Sequence, residues 1–104
     1  MNYVTMDIPV DQPNHGLTPF DLGEICISPR AVAALADSLE HPVAFLIRHA
    51  GGDWGLISDG QRWRNVVALA SGGRVLSAYA LQNGAVIGIV TEADRSATAL
   101  LMAE

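Results

Sequence analysis

GGRVLSAYALQNGAVIGIVTEADRSATALLM, residues 72–102, is the stretch whose reading decides the fold. Gly72-Gly73 ends whatever precedes it. From Arg74 to Leu81 the residues alternate with the two-residue period of a strand. Asn83-Gly84 then predicts a hairpin, because a type I′ turn needs positive φ at both central residues. Ala85 to Thr91 reads as the returning strand, Ala93 to Ser96 as a second reversal, and Ala97 to Met102 as a third strand. Three strands joined by tight reversals make an antiparallel meander.

Working outward, the residues before this stretch change period. Ser28-Pro29 is a helix start, with serine as cap and proline at the first helical position. That helix is predicted to about Leu39, with Val32, Leu35, Ala36 and Leu39 on its inner face. His41-Pro42 starts a second helix, whose inner face is Phe45, Leu46 and Ala50 and whose end is Gly51-Gly52, in a left-handed cap. Ser58 or Asp59 caps a third, on which Trp63, Val66, Val67 and Ala70 follow i, i+3, i+4, i+7 spacing. The fold class is therefore α+β: three short helices packed on one face of a small antiparallel meander. Residues 22–28 are apolar and β-branched enough to add a fourth strand at its edge. Residues 1–21 hold Pro9, Pro13 and Pro19 and read as an extended acidic arm with a short strand near Tyr3 to Ile8. Residues 22–104 form a single domain.

Composition bounds the function. A chain of 104 residues, half of them apolar, can bury a core without metal or disulfide staples. No apolar run reaches the length of a membrane span. The opening MNYVTMDIPVDQ lacks a basic start followed by an apolar stretch, so no secretory leader is expected and the cytoplasm is the default location. The single cysteine, Cys26, sits in an apolar run and reads as a buried, inert thiol. The formal net charge is −5, all six basic residues are arginine, and none precedes Arg30. Without a basic stripe, direct nucleic-acid binding is not expected. The acid-rich N-terminus, with Asp7, Asp11 and Asp21, suits contact with a basic protein surface.

Three constellations could carry chemistry. His49, Asp53 and Trp54 lie at the end of the second helix. They read either as a general acid–base pair beside an open glycine turn or as a turn cap with a ring anchored on the core. Thr91 to Ser96 puts Glu92, Asp94 and Arg95 at a strand reversal. The alternative to acid–base or cation work there is an Asx-type turn at Asp94, with Arg95 pairing to Glu92 or to a neighbouring element. Arg62, Arg64, Asn65, Arg74, Ser77 and Tyr79 could line a pocket suited to phosphate chemistry. Against this, Ser77 and Tyr79 share strand parity with Val75 and Leu81, so Tyr79 reads as a core ring with a satisfied hydroxyl. The chain has no Walker A loop, no G-x-G-x-x-G, no G-x-S-x-G and no H-E-x-x-H. No zinc spacing exists, and no metal or cofactor is expected.

Gly52-Asp53-Trp54-Gly55, Asn65, Arg74, Ser77-Ala78-Tyr79 and Thr91-Glu92-Ala93-Asp94-Arg95-Ser96, in that order, resemble a family of small "plasmid-related" proteins. That family is encoded on integrative and conjugative elements and plasmids of proteobacteria. The resemblance runs from about Phe20 to Leu101. The chain departs from the family in ending at Met102-Ala103-Glu104 without a proline-led acidic tail, and in carrying less charge between Trp54 and Asn65. The resemblance implies a mobile-element setting and no particular mechanism.

Three functions follow as expectations. The first is a binding protein that docks on and blocks a host complex handling nucleic acid, an anti-CRISPR or anti-restriction activity. Its contacts would come from Asp7, Asp11, Asp21, Arg62 and Arg64, with Trp54 and Trp63 as anchors if exposed and as core if buried. The second is a small nuclease-like or nucleotide-modifying enzyme using His49, Asp53, Arg74, Glu92 and Arg95. The third is a homodimeric accessory domain pairing through exposed hairpin edges.

Overall fold

Two periods organise the chain, and they sort it into one sheet and three helices. The computed structural model describes the backbone of residues 4–6 and all of residues 20–103. The elements run β1 (Val4–Met6), β2 (Glu24–Ile27), α1 (Pro29–Ser38), α2 (Pro42–Ala50), α3 (Asp59–Ser71), β3 (Val75–Ala80), β4 (Val86–Thr91) and β5 (Ala97–Met102). The α+β class and the β3–β4–β5 meander are as the sequence reads. The sheet is larger and mixed: five strands in the order β1-β2-β5-β4-β3. The strand expected within residues 22–28 is not an edge. β2 lies between β1 and β5, parallel to β5, with Ile25 beside Thr98 and Ile27 beside Leu100. A parallel pair needs a long crossover, and here all three helices and two strands supply it.

Alternate residues of the strands point to one side and meet the helices. Ile25, Ile27, Tyr79, Ile87, Ile89 and Leu100 bury against Ala31 and Leu35 of α1 and Phe45 and Leu46 of α2. Each large aliphatic buried this way contributes about 1.5–3 kcal/mol relative to exposure. A second cluster gathers Phe20, Trp54, Ala68 and Val75. Phe20 therefore belongs to the core, although it falls within the stretch read as an arm.

The helix starts are capped by side chains. Ser28 Oγ accepts from Ala31 N at 3.2 Å, His41 Nδ1 from Val43 N at 3.1 Å, and Ser58 Oγ from Gln61 N at 3.0 Å. The inner faces of two helices differ from expectation. On α1 the buried residues are Ala31, Leu35 and Ser38, while Val32 is exposed and Leu39, in left-handed conformation at the C-cap, is 93% exposed. On α3 they are Asn65 and Ala68, and the stripe of Trp63, Val66, Val67 and Ala70 faces outward.

The hairpin after β3 is not the two-residue turn that Asn83-Gly84 predicts. Gly84 N donates to Leu81 O at 3.0 Å and Leu81 N to Ala85 O at 2.8 Å, which gives a three-residue loop with only Gly84 at positive φ. Asn83 serves a different end: its amide nitrogen donates to Asp37 Oδ2 at 3.0 Å and ties the loop to α1.

Both edges of the meander carry partners among the described residues. β5 is covered by β2. On the β3 side, Asn65 bonds both backbone groups of Leu76, with Nδ2 donating to Leu76 O at 2.8 Å and Oδ1 accepting from Leu76 N at 3.1 Å. Two residues on, Ala78 N donates to Trp54 O at 3.1 Å and Leu56 N to Ala78 O at 2.7 Å. The outward backbone groups of Leu76 and Ala78 are thereby taken, which shortens the template this edge could offer another strand.

Candidate functional site

The buried side of α2 meets Ser77, Thr91 and Thr98 on the inner face of the sheet, and this explains His49. It is fully buried. Nδ1 is hydrogen-bonded to Ser77 Oγ, and Nε2 lies 2.8 Å from Thr91 Oγ1. Thr91 Oγ1 lies 2.7 Å from Thr98 Oγ1, and Thr98 Oγ1 donates to Leu22 O at 2.7 Å. A carbonyl can only accept, so the direction of the whole chain is set. Thr98 spends its proton on Leu22 and must accept from Thr91. Thr91 must then accept from His49 Nε2–H, which leaves Nδ1 to accept from Ser77. One neutral tautomer of His49 satisfies every group. Burial, and then the positive charge of Arg95, lowers its pKa to about 3. Phe20 closes over the ring edge-on, at 5.3 Å between centroids.

His49 and Asp53 consequently do not form the acid–base pair that their spacing suggested. Asp53 turns outward and accepts from two Arg48 nitrogens, Nε at 2.8 Å and Nη2 at 3.3 Å, a pairing that holds its carboxyl below the usual range. Arg48 also lies over the Tyr79 ring, 4.6 Å from its centroid. Tyr79 is core, as its strand parity implied, and its hydroxyl donates to Asp53 O at 2.7 Å. Burial pushes that hydroxyl up to about 12. Trp54 is 5% exposed, so it packs in the core with Phe20 and cannot anchor a partner.

At the β4–β5 reversal, Asp94 makes the Asx-type turn: Oδ1 accepts from Ser96 N at 3.0 Å and from Ser96 Oγ at 2.6 Å. Glu92 does not pair with Arg95. Its carboxylate accepts from Arg74 Nε at 3.2 Å across an exposed surface. Arg95, at φ 62, sends its guanidinium inward to the carbonyls of Glu92 (3.0 Å), Ala68 (3.1 Å) and Gly73. It also approaches the Phe20 ring, 5.5 Å from the centroid. It acts as a clamp holding the C-terminal turn of α3 to the sheet. Arg95→Asn keeps a residue that tolerates left-handed backbone and removes the guanidinium with the stem that carries it. We expect it to cost about 2–3 kcal/mol in urea unfolding. A loss below about 0.5 kcal/mol would count against the clamp.

The five residues proposed for catalysis are thus divided among a buried network, two surface ion pairs and a clamp on backbone carbonyls. Sequence reasoning missed Thr98 and Arg48. The inward parity of Thr91 and Thr98 among aliphatic neighbours was the available signal for the first.

Val32, Leu39, Ile47 and Leu56 are exposed singly, and an apolar stripe at helical spacing faces outward on α3. Trp63 is 66% exposed, Val66 and Val67 are each 44% exposed, and Ala70 continues the line. Arg62 and Arg64 flank Trp63, and both are exposed. Asp21 is exposed as well, while Asp7 and Asp11 lie outside the described residues. Among the described residues, no group of three His, Cys, Asp or Glu side chains could hold a metal ion. No helix among them is long and apolar enough to cross a membrane. Comparison of the chain with protein-family models, with curated proteins and with solved structures gave no match.

Proposed function

We propose that this chain acts by binding another protein, with the outer face of α3 as its contact surface. The observation that carries the reading is the exposed tryptophan with two valines on its own helical face and an arginine on either side. Scattered apolar residues on a surface are ordinary. A stripe of four at helical spacing, headed by tryptophan, is unlike that background, and Trp and Arg dominate interface energetics. A helix face of this kind docks into a groove or against a second helix.

The finer proposal is that the partner is a host complex handling nucleic acid and that binding blocks it, as an anti-CRISPR or anti-restriction protein encoded on a mobile element would. The resemblance to the plasmid-related family and the small acidic domain support it. The partnered meander edges and the occupied His49 nitrogens favour this over an edge-paired dimer or a histidine-based nuclease.

The test uses purified wild type and Trp63→Ala in restriction and CRISPR interference assays, with co-purification of the defence complex. Trp63 is exposed, so Trp63→Ala is expected to change folding stability by no more than about 0.5 kcal/mol. It is expected to weaken the complex at least about thirtyfold. Full protection by Trp63→Ala would remove α3 from the contact. Wild type without effect on any such system would end the anti-defence reading.

A further inference from the structure

The charges around Trp63 bear on what sits against α3, an inference that rests on α3 being the contact surface. Arg62 and Arg64 project to the two sides of Trp63, about 100° away around the helix. The ion pairs Arg48–Asp53 and Arg74–Glu92 include neither flanking arginine. Arg64 Nε reaches only the Gln61 side-chain oxygen, at 3.3 Å. Arg62 lies close enough to Asp53 to stabilise its carboxylate, but that carboxylate already accepts from Nε and Nη2 of Arg48. The one acid on α3 is Asp59, in its first turn. Arg48, Arg62 and Arg64 against Asp53 and Asp59 leave this patch positive, on a chain whose formal charge is −5.

We propose that the outer face of α3 receives an acidic amphipathic segment of a partner protein. Its apolar side chains cover Trp63, Val66 and Val67, and carboxylates to either side meet Arg62 and Arg64. This reverses the polarity that the acid-rich N-terminus suggested, where the partner surface was expected to be basic. Arginine presents a planar fork that matches a carboxylate in two-point contact. Such rim pairs set register and association rate, while the apolar stripe supplies affinity. A single-stranded nucleic acid could also use one tryptophan between two arginines. The stripe, however, continues through Val66, Val67 and Ala70 with no cation along it. Aliphatic side chains give bases nothing to stack on, and a net negative chain repels phosphates.

The experiment titrates the isotope-labelled full chain with two synthetic helical peptides that share one leucine pattern, flanked by Glu in one and by Lys in the other. An oligothymidylate strand is the third probe. The readout is the Trp63 indole N–H and the α3 amide resonances. The Glu peptide is expected to bind at least about tenfold tighter than the Lys peptide. Arg62→Glu with Arg64→Glu should invert that order, and Trp63→Ala should abolish binding of both. Equal binding of the two peptides through Trp63 would overturn the charge inference alone. Stronger shifts with the oligothymidylate would overturn it in favour of nucleic acid. No response of α3 to any probe, or peptide binding that survives Trp63→Ala, would instead overturn the contact surface, and this inference with it.

Discussion

Acidification is expected to destabilise this domain progressively from about pH 6.5 downward, well above the range in which carboxylates titrate. The cause is His49, held neutral between Ser77 and Thr91 with its pKa lowered to about 3, first by burial and second by Arg95. The unfolded chain takes up that proton at the ordinary value of about 6.5. Between the two values the unfolded state binds more protons, so stability is fully present above 6.5 and is lost as the pH falls. Each pH unit in that window removes about 1.4 kcal/mol. The whole window removes up to about 5 kcal/mol, against about 5–15 kcal/mol for the total stability of a small domain. The carboxyls of Glu40, Asp53 and Asp94 are also held below their usual range, by Ser38, Arg48 and Ser96 respectively. Their contribution begins to be lost only near pH 4. Urea unfolding at about pH 7, 6 and 5 separates the two causes. The midpoint is expected to drop between 6 and 5 in the wild type, and to stay level there when His49 is replaced by Gln. A level wild-type midpoint would mean that the histidine takes its proton without leaving its place.

The second large effect is expected from Gly55→Ala. Gly55 has φ 72 and runs directly along the outer edge of β3. An added Cβ would stand 2.1 Å from Ala78 O and 2.7 Å from Cδ1 of the Tyr79 ring. The first neighbour is strand backbone and the second a ring packed against Phe45, so neither can give way cheaply. Left-handed strain costs about 1–3 kcal/mol and overpacking a similar amount. The melting temperature should fall by about 15–30 °C. Gly84→Ala is the comparison: its φ is 92, but nothing lies within 4 Å of the new methyl. It should lose only the backbone term. Equal losses for the two variants would show that contact with β3 is not what Gly55 provides. If the Gly55 segment lifts off, the backbone of Ala78 is freed, and Gly55→Ala should also elute as larger species at high concentration.

The sequence announced its periods more clearly than their phase. The strands at Val75–Ala80, Val86–Thr91 and Ala97–Met102 and the three capped helices are legible because each depends on its neighbours in the chain. The α3 face was misread for a physical reason. That helix lies against an open strand edge, and what the edge needs is Asn65, whose amide matches both backbone groups of Leu76. An apolar pattern cannot register a polar demand made by a distant strand, so it chose Trp63 and the valines for the interior. The place of β2 was hidden for a similar reason: alternation at Ile25 and Ile27 says that one face is buried but not which strand lies alongside. His49 and Asp53 are near in sequence, yet a helix turn separates a ring facing Ser77 from a carboxylate facing water. The directional chain through Thr91 and Thr98 exists only once three strands and α2 are assembled.

The parallel pairing of β2 with β5 has a consequence for how the molecule is made. Ile27 sits beside Leu100, so strands from opposite ends of the domain are neighbours in the middle of the sheet. During synthesis the helices and the β3–β4 hairpin emerge while β2 still lacks a partner on that side. Local elements can form early, but the sheet cannot close until β5 arrives, and such distant pairing is slow. The nascent domain waits with the β2 backbone that will face β5 unpaired, and an unpaired strand edge is open to association with other chains.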